Sequence, residues 1–313
     1  MVVFGDLVSM PTTKNYYYTH SGLSNVLIGS FAQPVVGDTQ GICFDNSNNL
    51  LCSYSYVGPT TADPSVIYQC SGLSNTILGS FATPGSDCQG VAFDGSNMIT
   101  INEGDYFYPF VPHCVYTHSG ISTNIIGSFT ISGPQYIGGI AYYQGNLLSC
   151  GIFVSGVTTI GVIFQHSGIS STYTGSFLSP GTNNFPQDIY VNNEGNLISC
   201  DSKNEHIYIH SGISATLTGS FVAPGSDPVG VAIYDYYNIL SSGYVKIQNS
   251  GTIIPIKLIT IEQAESVGDA SVRVALNENV YCADLATSES DTYASPVKIQ
   301  TPHGLKIWRQ SGA

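Results

Sequence analysis

The stretch "HIYIHSGISATLTGSF", residues 206–221, is one of five similar copies in this chain. The other four copies end at Phe31, Phe81, Phe129 and Phe177. Each copy joins an apolar run to Gly-Ser-Phe through a Ser-Gly pair, and Ser-Gly pairs of this kind recur at intervals of 39 to 50 residues. An internal period of this length is typical of repeat architectures such as solenoids and propellers.

Each period contains four short runs that are typical of β-strands. In residues 187–221 the runs are "QDIYVNN", "GNLISCD", "HIYIHSG" and "SATLTGSF". They are separated by Gly, Asn and Ser, which supply the backbone conformations that tight hairpins need. Four antiparallel strands per repeat predict the blade of a β-propeller. A stacked solenoid is the alternative, but the repeat lacks the 3.6-residue apolar period of a helix.

Aligning these strands predicts an all-β fold with six blades. Residues 1–31 fit a first, shortened blade with all four strands. Further blades would begin near Gly41, Gly90, Gly138, Gln187 and Val229. The sequence therefore predicts a six-bladed β-propeller over residues 1–258 and a small β-rich C-terminal extension over residues 259–313.

Two of the repeats resemble a known family. "PGSDCQGVAFDGSNMI" and "FPQDIYVNNEGNLI" are similar to NHL repeats, which couple Pro, then Gly-Val-Ala-x-Asp, then Gly-Asn-Leu. The resemblance implies a six-bladed propeller that serves as a binding scaffold more often than as an enzyme.

The charge composition disfavours two classes of partner. Charged residues make up 9% of the 313 residues, and the net charge is −13. A nucleic-acid partner is not expected, because phosphates are neutralised by Lys and Arg. No uninterrupted apolar run is long enough to span a membrane, so no membrane insertion is expected. The first residues lack the basic and apolar regions of a signal peptide, and none is expected.

The eight cysteines predict buried thiols. Cys52, Cys150 and Cys200 end apolar runs of the same kind, where a small hydrophobic side chain is suitable. No Cys-x-x-Cys pair occurs, so a zinc ribbon is not expected. The sequence predicts no cofactor and no bound metal.

The repeated histidines are candidates for metal binding or catalysis. His20, His118, His166 and His210 occupy one position in four repeats, which Cys70 and Asn249 take in the other two. Metal ligands must converge to about 2 Å from one ion, which equivalent positions in separate blades do not do. We expect each histidine to hydrogen-bond the turn of its own blade.

Acidic turns were the other candidate for metal binding. "FDNSNN", with Asp45, and "FDGSN", with Asp94, faintly resemble the spacing of calcium loops. Both lack the glutamate at the twelfth position and lie where hairpin turns are required. The sequence therefore predicts turns here.

Enzymatic activity is not predicted. The presumed inner strands offer no convergent carboxylates, and neither Gly-x-Ser-x-Gly nor His-Glu-x-x-His occurs. A metal-dependent propeller lyase or lactonase is the third and least favoured function.

Aromatic residues in long loops are the candidate ligand contacts. They lie in "SYSYVGPTTADP" and "INEGDYFYPFVPHC", and "CGIFVSGVTTIG" is a third long segment. Exposed rings offer flat faces for sugars or protein side chains, although such rings also fold back onto their own blade. The candidate residues are Tyr54, Tyr56, Tyr106, Phe107, Tyr108 and Phe110.

The C-terminal extension differs in charge. Residues 1–256 contain three of the eight bases and 14 of the 21 acids, a net charge of −11. The extension carries the candidate subunit-docking residues Lys298, Lys306, Trp308 and Arg309. "AESVGDAS" and "NENVYCAD" weakly resemble short β-repeats of phage and bacterial surface proteins. Docking onto another subunit and folding against its own propeller are both open.

Two functions follow from these observations. The first is a structural or adhesive subunit of an extracellular assembly, such as a phage virion, tail appendage or surface filament. Its partners would be copies of itself or other subunits, and its location the virion or cell surface. The second is a soluble propeller that binds a surface glycan or a peptide.

Overall fold

The computed structural model describes residues 5–11, 15–55, 64–104, 112–235, 244–249, 252–263, 269–276, 279–286 and 306–307, with side chains up to residue 234. The chain forms two compact units, Met1–Tyr234 and Asp235–Ala313. Among the described residues, no helix has the length and apolarity to cross a membrane.

The first unit consists of short strands rich in Ile, Val, Tyr and Thr, which favour extended backbone. In chain order they are β1 Gly5–Pro11, β2 Tyr16–His20, β3 Leu27–Ala32, β4 Asp38–Phe44, β5 Leu50–Ser55, β6 Val66–Cys70, β7 Ile77–Ala82, β8 Cys88–Phe93, β9 Met98–Asn102, β10 His113–His118, β11 Ile125–Ile131, β12 Tyr136–Tyr143, β13 Asn146–Ser155, β14 Thr158–His166, β15 Tyr173–Leu178, β16 Pro186–Val191, β17 Leu197–Asp201, β18 His206–His210, β19 Leu217–Val222 and β20 Pro228–Asp235.

These strands form five four-stranded antiparallel sheets, so the fold is a five-bladed β-propeller. From the innermost strand outward, blade 1 is β20-β1-β2-β3, blade 2 is β4 to β7 and blade 3 is β8 to β11. Blade 4 is β12 to β15 and blade 5 is β16 to β19. The predicted propeller and its four strands per blade are confirmed, whereas the predicted count of six blades is wrong.

The number of blades was overestimated because the last strand of the unit closes the ring by joining the first blade. Residues 1–31 do not supply four strands, because the innermost strand of blade 1 is β20, near the end of the unit. The segment at Val229, expected to begin a sixth blade, is thus the strand that completes the first. The unit boundary accordingly falls after Tyr234 and not at the predicted residue 258.

The second unit contains one described sheet. Its strands are β21 Tyr244–Asn249, β22 Thr252–Gln263, β23 Asp269–Leu276, β24 Asn279–Ala286 and β25 Lys306–Ile307. They lie in the order β24-β23-β22-β21-β25, and each described pair is antiparallel. The segment "VKIQNSGTIIPIKL", assigned from sequence to a sixth blade, forms the β21–β22 hairpin of this sheet.

The hydrophobic core of the propeller lies between its blades. Between blades 2 and 3, Leu51 and Ile67 pack against Val91 and Met98. Similar clusters fill the junctions of blades 3 and 4, 4 and 5, and 5 and 1. Each blade therefore buries both of its faces, and no blade has a complete core of its own.

The five innermost strands approach one another closely at the axis. One position in each inner strand faces this contact, and four of the five residues are glycine: Gly41, Gly90, Gly139, Asp188 and Gly230. A methyl group on Gly41 would lie 2.7 Å from the Cα of Gly90, and one on Gly90 equally close to the Cα of Gly139. Only glycine allows this backbone approach.

Asp188 is the exception, and its carboxylate fills the axis. It is completely buried and accepts hydrogen bonds from the backbone N–H groups of Ile42, Ile189 and Val231, at 3.4, 3.0 and 3.1 Å. Desolvation raises the pKa of Asp188, and these three hydrogen bonds oppose the rise. One side chain thus connects blades 2, 5 and 1.

Asp188→Asn is expected to lower the free energy of unfolding by about 1–3 kcal/mol, because the amide group presents N–H to backbone donors that need an acceptor. Chemical denaturation at pH 7 measures the change. The matched control is Asp227→Asn, an exposed aspartate with φ of 52° that asparagine also adopts. Equal stability of Asp188→Asn and the parent chain would contradict a hydrogen-bond acceptor that the three backbone N–H groups need at the axis.

Candidate functional site

The repeated histidines are buried structural residues. In blade 5, Nδ1 of His210 donates to the carbonyl of Ser214 at 2.7 Å, and Nε2 accepts from the Ser199 hydroxyl at 3.0 Å. His20 and His166 make the same pair of bonds in their own blades. His118 keeps the strand bond, to Thr100, and its ring interacts with the backbone of Ser122 without the geometry of a full hydrogen bond. The predicted bond to the turn is confirmed in three of the four.

Each histidine ring also contacts the ring of a phenylalanine from the preceding blade. The ring-centre distances are 6.0 Å for Phe177 and His210, and 5.5 Å for Phe221 and His20. Phe81–His118 and Phe129–His166 repeat the contact at 6.0 and 6.2 Å. The conserved elements of the repeat, His-Ser-Gly and Gly-Ser-Phe, are thus the two halves of a contact between blades.

In blade 2 cysteines replace both members of the histidine–serine pair. Cys70 takes the histidine position, and Cys52, opposite Tyr68 in the register, takes the position of the serine. The Cys52 thiol donates to the carbonyl of Tyr68 at 3.5 Å, and burial, followed by the interaction with Cys70, raises the pKa of Cys52. The seven described cysteines are free thiols, and all but Cys114 are buried, as predicted. In the register Cys52 aligns with Ser149 and Ser199, not with Cys150 and Cys200.

The aspartates of the acidic turns hydrogen-bond the backbone of their own turns. Oδ1 of Asp45 accepts the backbone N–H groups of Ser47 and Asn49, both at 2.8 Å. Asp94 does the same for Ser96 and Asn97. These bonds confirm that the aspartates act in hairpin turns, as the sequence predicted.

Burial lowers the pKa of His20, His118, His166 and His210 in the folded state. The unfolded chain therefore binds protons at higher pH than the folded chain, and the stabilisation present above about pH 6.5 is lost as pH falls. We expect the free energy of unfolding to drop between pH 7 and pH 5, by up to about 1.4 kcal/mol per pH unit for each histidine.

Urea denaturation across this pH range tests the expectation. His210→Ala should lower stability at pH 7.5 and also reduce the pH slope, because one buried titrating ring is removed. A slope identical to that of the parent chain would contradict the assignment.

The mouth of the central axis is a second notable surface, defined here by the residues three positions before each axial residue. Around the ring these are Asp227, Asp38, Asp87, Tyr136 and Phe185, from blades 1 to 5. Equivalent positions of a circular repeat lie at one level around its axis. The mouth therefore has an acidic arc over blades 1 to 3 and an aromatic arc over blades 4 and 5.

Glu103 adds a further carboxyl group to the acidic arc. It follows β9, and its backbone N–H donates to the carbonyl of Asp87 at 2.7 Å. Desolvation, and next the charge of Asp87, raise the pKa of Glu103 to about 8, while the N–H of Ile137 opposes the rise. Desolvation also raises the pKa of Asp87, although Gln89 donates to its carboxylate at 2.7 Å. These two carboxyl groups hold protons at unusually high pH.

Glu103→Gln is expected to stabilise the protein at alkaline pH. The raised pKa of Glu103 gives stability that is complete below about pH 4.5 and is lost as pH rises through about 8. At pH 9 the variant should exceed the parent chain by about 1–3 kcal/mol, and near pH 4 the two should be equal. Denaturation at both pH values measures this, with Glu194→Gln, at the turn between β16 and β17, as a control expected to match the parent chain. A Glu103→Gln chain no more stable at pH 9 would contradict the desolvation.

The structure describes only one of the six candidate ligand-binding aromatics. Tyr54 belongs to strand β5 and not to an exposed loop, is completely buried, and its hydroxyl lies 3.5 Å from that of Tyr17. Its expected place in a loop is wrong, because strand pairing extends to Ser55. Tyr56, Tyr106, Phe107, Tyr108 and Phe110 lie outside the described residues. The expected loop in blade 4 is instead the long hairpin of β13 and β14, with Val157 at its tip.

Three of the four candidate docking residues, Lys298, Trp308 and Arg309, also lie outside the described residues. Lys306 is in strand β25, whose backbone pairs with β21 opposite Gln248. Docking by these residues stays a prediction.

The perimeter of the ring is formed by the outermost strands β3, β7, β11, β15 and β19. Among the strands that the structure describes, each of these five pairs with a neighbour on one side only. None of the five contains Asp, Glu, Lys, Arg or Pro. Each carries at least two exposed large apolar side chains: Leu27, Ile28, Ile77, Leu78, Ile125, Ile126, Tyr173, Leu178, Leu217 and Val222.

Sequence reasoning missed the axial residues, although a signal was present. "DTQGI", "DCQGV" and "DPVGV" place an aspartate three residues before the axial glycine in three blades. Aligning these segments with "PQDI" would have shown Asp188 at a glycine position. Glu103 carries no such repeat signal.

No protein-family model and no curated protein matches the sequence, so the likeness to NHL repeats rests on the quoted motifs alone. Among solved structures, the chain is similar to the glutaminyl cyclase of Myxococcus xanthus, with 14% identity, a TM-score of 0.43, and 87% of this chain and 91% of that one covered. A protein of unknown function from Bacteroides caccae shares 10% identity, with a TM-score of 0.42 and 90% of each chain covered. A chain of a mitotic checkpoint complex shares 10% identity, with a TM-score of 0.40, and 98% and 84% covered.

Proposed function

We propose that this protein is a non-catalytic structural or adhesive subunit of an extracellular assembly, such as a phage virion, tail appendage or surface filament. The observation that carries the proposal is the perimeter of the propeller. Five edge strands there combine unpaired backbone groups, exposed apolar side chains and no charge.

Edge strands of this kind favour pairing with other chains. Monomeric proteins usually protect a sheet edge with charged residues, proline or a covering segment. All five edges contain Gly-Ser-Phe beside uncharged residues, so a strand from a neighbouring subunit can add to the blade and cover the apolar side chains. The repetition around the ring offers several equivalent contacts, as a lattice or filament subunit needs.

The chemistry of the repeat supports a non-catalytic role. The four repeated histidines lie in four separate blades and are completely or almost completely buried. Three of them use both ring nitrogens in structural hydrogen bonds. They are not free to act on a substrate.

The cysteines and the charge are compatible with a virion protein that is made in the cytoplasm. Buried free thiols are compatible with folding in a reducing cytoplasm, where virion proteins are made. Residues 1–234 contain thirteen acidic residues and two lysines, which gives a net charge of −11. Such a charge disfavours binding to nucleic acid within a particle.

Self-association tests the proposal. The full chain of 33.2 kDa is expected to form oligomers whose mass rises with concentration in sedimentation velocity or light scattering. Leu78→Lys and Ile126→Lys place a charge on edges β7 and β11, where the native side chains are 55% and 57% exposed, and should reduce the mass toward that of the monomer. Val157→Lys is the control, because Val157 is 97% exposed at a hairpin tip away from the edges.

A chain that ends at Asp235 separates the two candidate docking elements. It retains all five blades, because β20 completes the ring. Oligomers that persist in this chain assign association to the perimeter, and oligomers that are lost assign it to the C-terminal unit. A full chain that is monomeric at every concentration would overturn the proposal.

A further inference from the structure

The mouth of the axis, with Glu103 beside it, has the chemistry of a binding site. Asp38 begins inner strand β4, Asp87 immediately precedes inner strand β8, and Glu103 lies next to Asp87 on the side of blade 4. Within the part of the ring that the structure describes, Lys203 is the one lysine or arginine, and it lies in the β17–β18 turn of blade 5. Among the described residues of blades 2 and 3, no basic side chain lies beside the acidic arc.

These carboxyl groups are partly withdrawn from water. Asp87 and Glu103 are neither exposed nor fully buried. Desolvation raises the pKa of both, because their charged forms lose solvation that their hydrogen bonds do not fully replace. A cation bound between them would stabilise the charged forms.

An unpaired amide next to this cluster is an independent sign of a ligand. Asn102 is 5% exposed, and neither Oδ1 nor Nδ2 has a hydrogen-bond partner. Its side chain lies on the face of β9 opposite to that of Glu103, and its amide lies against Gly85, in the loop that leads to Asp87. Buried amides without partners are rare and costly, so a partner that supplies hydrogen bonds here would relieve that cost.

The opposite arc supplies aromatic faces. The rings of Tyr136 and Phe185 lie 6.3 Å apart at the same level of the axis, and both are half-buried. A cation over an aromatic face is attracted by the negative potential of the ring. Carboxylates on one side and aromatic rings on the other are the pairing that organic cations require.

From this arrangement we infer that the mouth binds an organic cation of the ammonium or guanidinium class. Asp38, Asp87 and Glu103 accept its N–H groups, and Tyr136 and Phe185 contact its apolar part. Two sources share this chemistry, a free amine and a Lys or Arg side chain of another polypeptide. This site does not depend on self-association through the perimeter.

Isothermal titration calorimetry of the full chain at pH 7.5 and low salt tests the inference. The probes are agmatine and spermidine as free amines, the peptide acetyl-Gly-Arg-Gly-amide as a side-chain source, and calcium chloride as an inorganic cation. We expect saturable binding of an organic cation with one site per chain and release of protons, seen as a dependence of the heat on the buffer, because the cation lowers the raised pKa of Glu103.

Two variants locate the site. Glu103→Gln and Asp87→Asn should each weaken binding tenfold or more, and Glu103→Gln should also abolish most of the proton release. Glu194→Gln, at the opposite end of the inner strands, should bind as the parent chain does. Since Glu103→Gln is expected to be at least as stable as the parent chain, unfolding does not explain its loss of binding, and thermal denaturation verifies this.

The relative affinities decide the source of the cation. Tighter binding of agmatine or spermidine indicates a free amine, and tighter binding of the peptide indicates a polypeptide side chain. Three results would overturn the inference: no binding of any organic cation, binding of calcium alone, or an equal loss of binding in Glu194→Gln.

Discussion

The contact between inner strands at the axis is the constraint on which the propeller depends. Five blades leave so little space there that four of them place glycine at the same position, and a methyl group at Gly41 or Gly90 would overlap a neighbouring backbone. The fifth residue, Asp188, fills the remaining space with a carboxylate held by N–H groups of three blades. Burial of a charge is costly unless hydrogen bonds replace its hydration, and here three backbone N–H groups replace it only in part, because the pKa of Asp188 stays raised.

The repeated sequence is the consequence of circular packing at the outer radius. Four of the five blades place a phenylalanine against the histidine of the next blade, as Phe177 does against His210. The histidine is held in one orientation by a serine of the neighbouring strand and by the turn that follows it. A change at the histidine position also affects its partner on the neighbouring strand, and in blade 2 Cys70 is accompanied by Cys52 at the serine position.

Local sequence patterns predicted the four strands of a blade, but they did not predict the pairing of strands that are distant in the sequence. The four strands of blade 5 and the turn bonds of the histidines follow from alternation and turn residues, which are local. The pairing of β20 with β1 joins segments more than 200 residues apart, and no local signal marks it. The segment at Val229 has the sequence of an inner strand in either case, so counting repeats gave six blades where five exist. Of the site, the repeated aspartates were visible in the sequence, but the placement of Glu103 and Asn102 beside Asp87 depends on strand pairing.

The closure of the ring by β20 has a consequence for synthesis. Blade 1 begins with the first described strand but is completed by the last strand of its unit, so the emerging chain presents Gly5–Pro11 without its inner neighbour until Pro228–Asp235 has left the ribosome. Blades 2 to 5 consist of consecutive strands and can fold as they are made. The unpaired edge of β1 is thus open to wrong partners while residues 12–227 are being added. A nascent chain interrupted before residue 228 would keep that edge permanently and would be a target for chaperones or proteases.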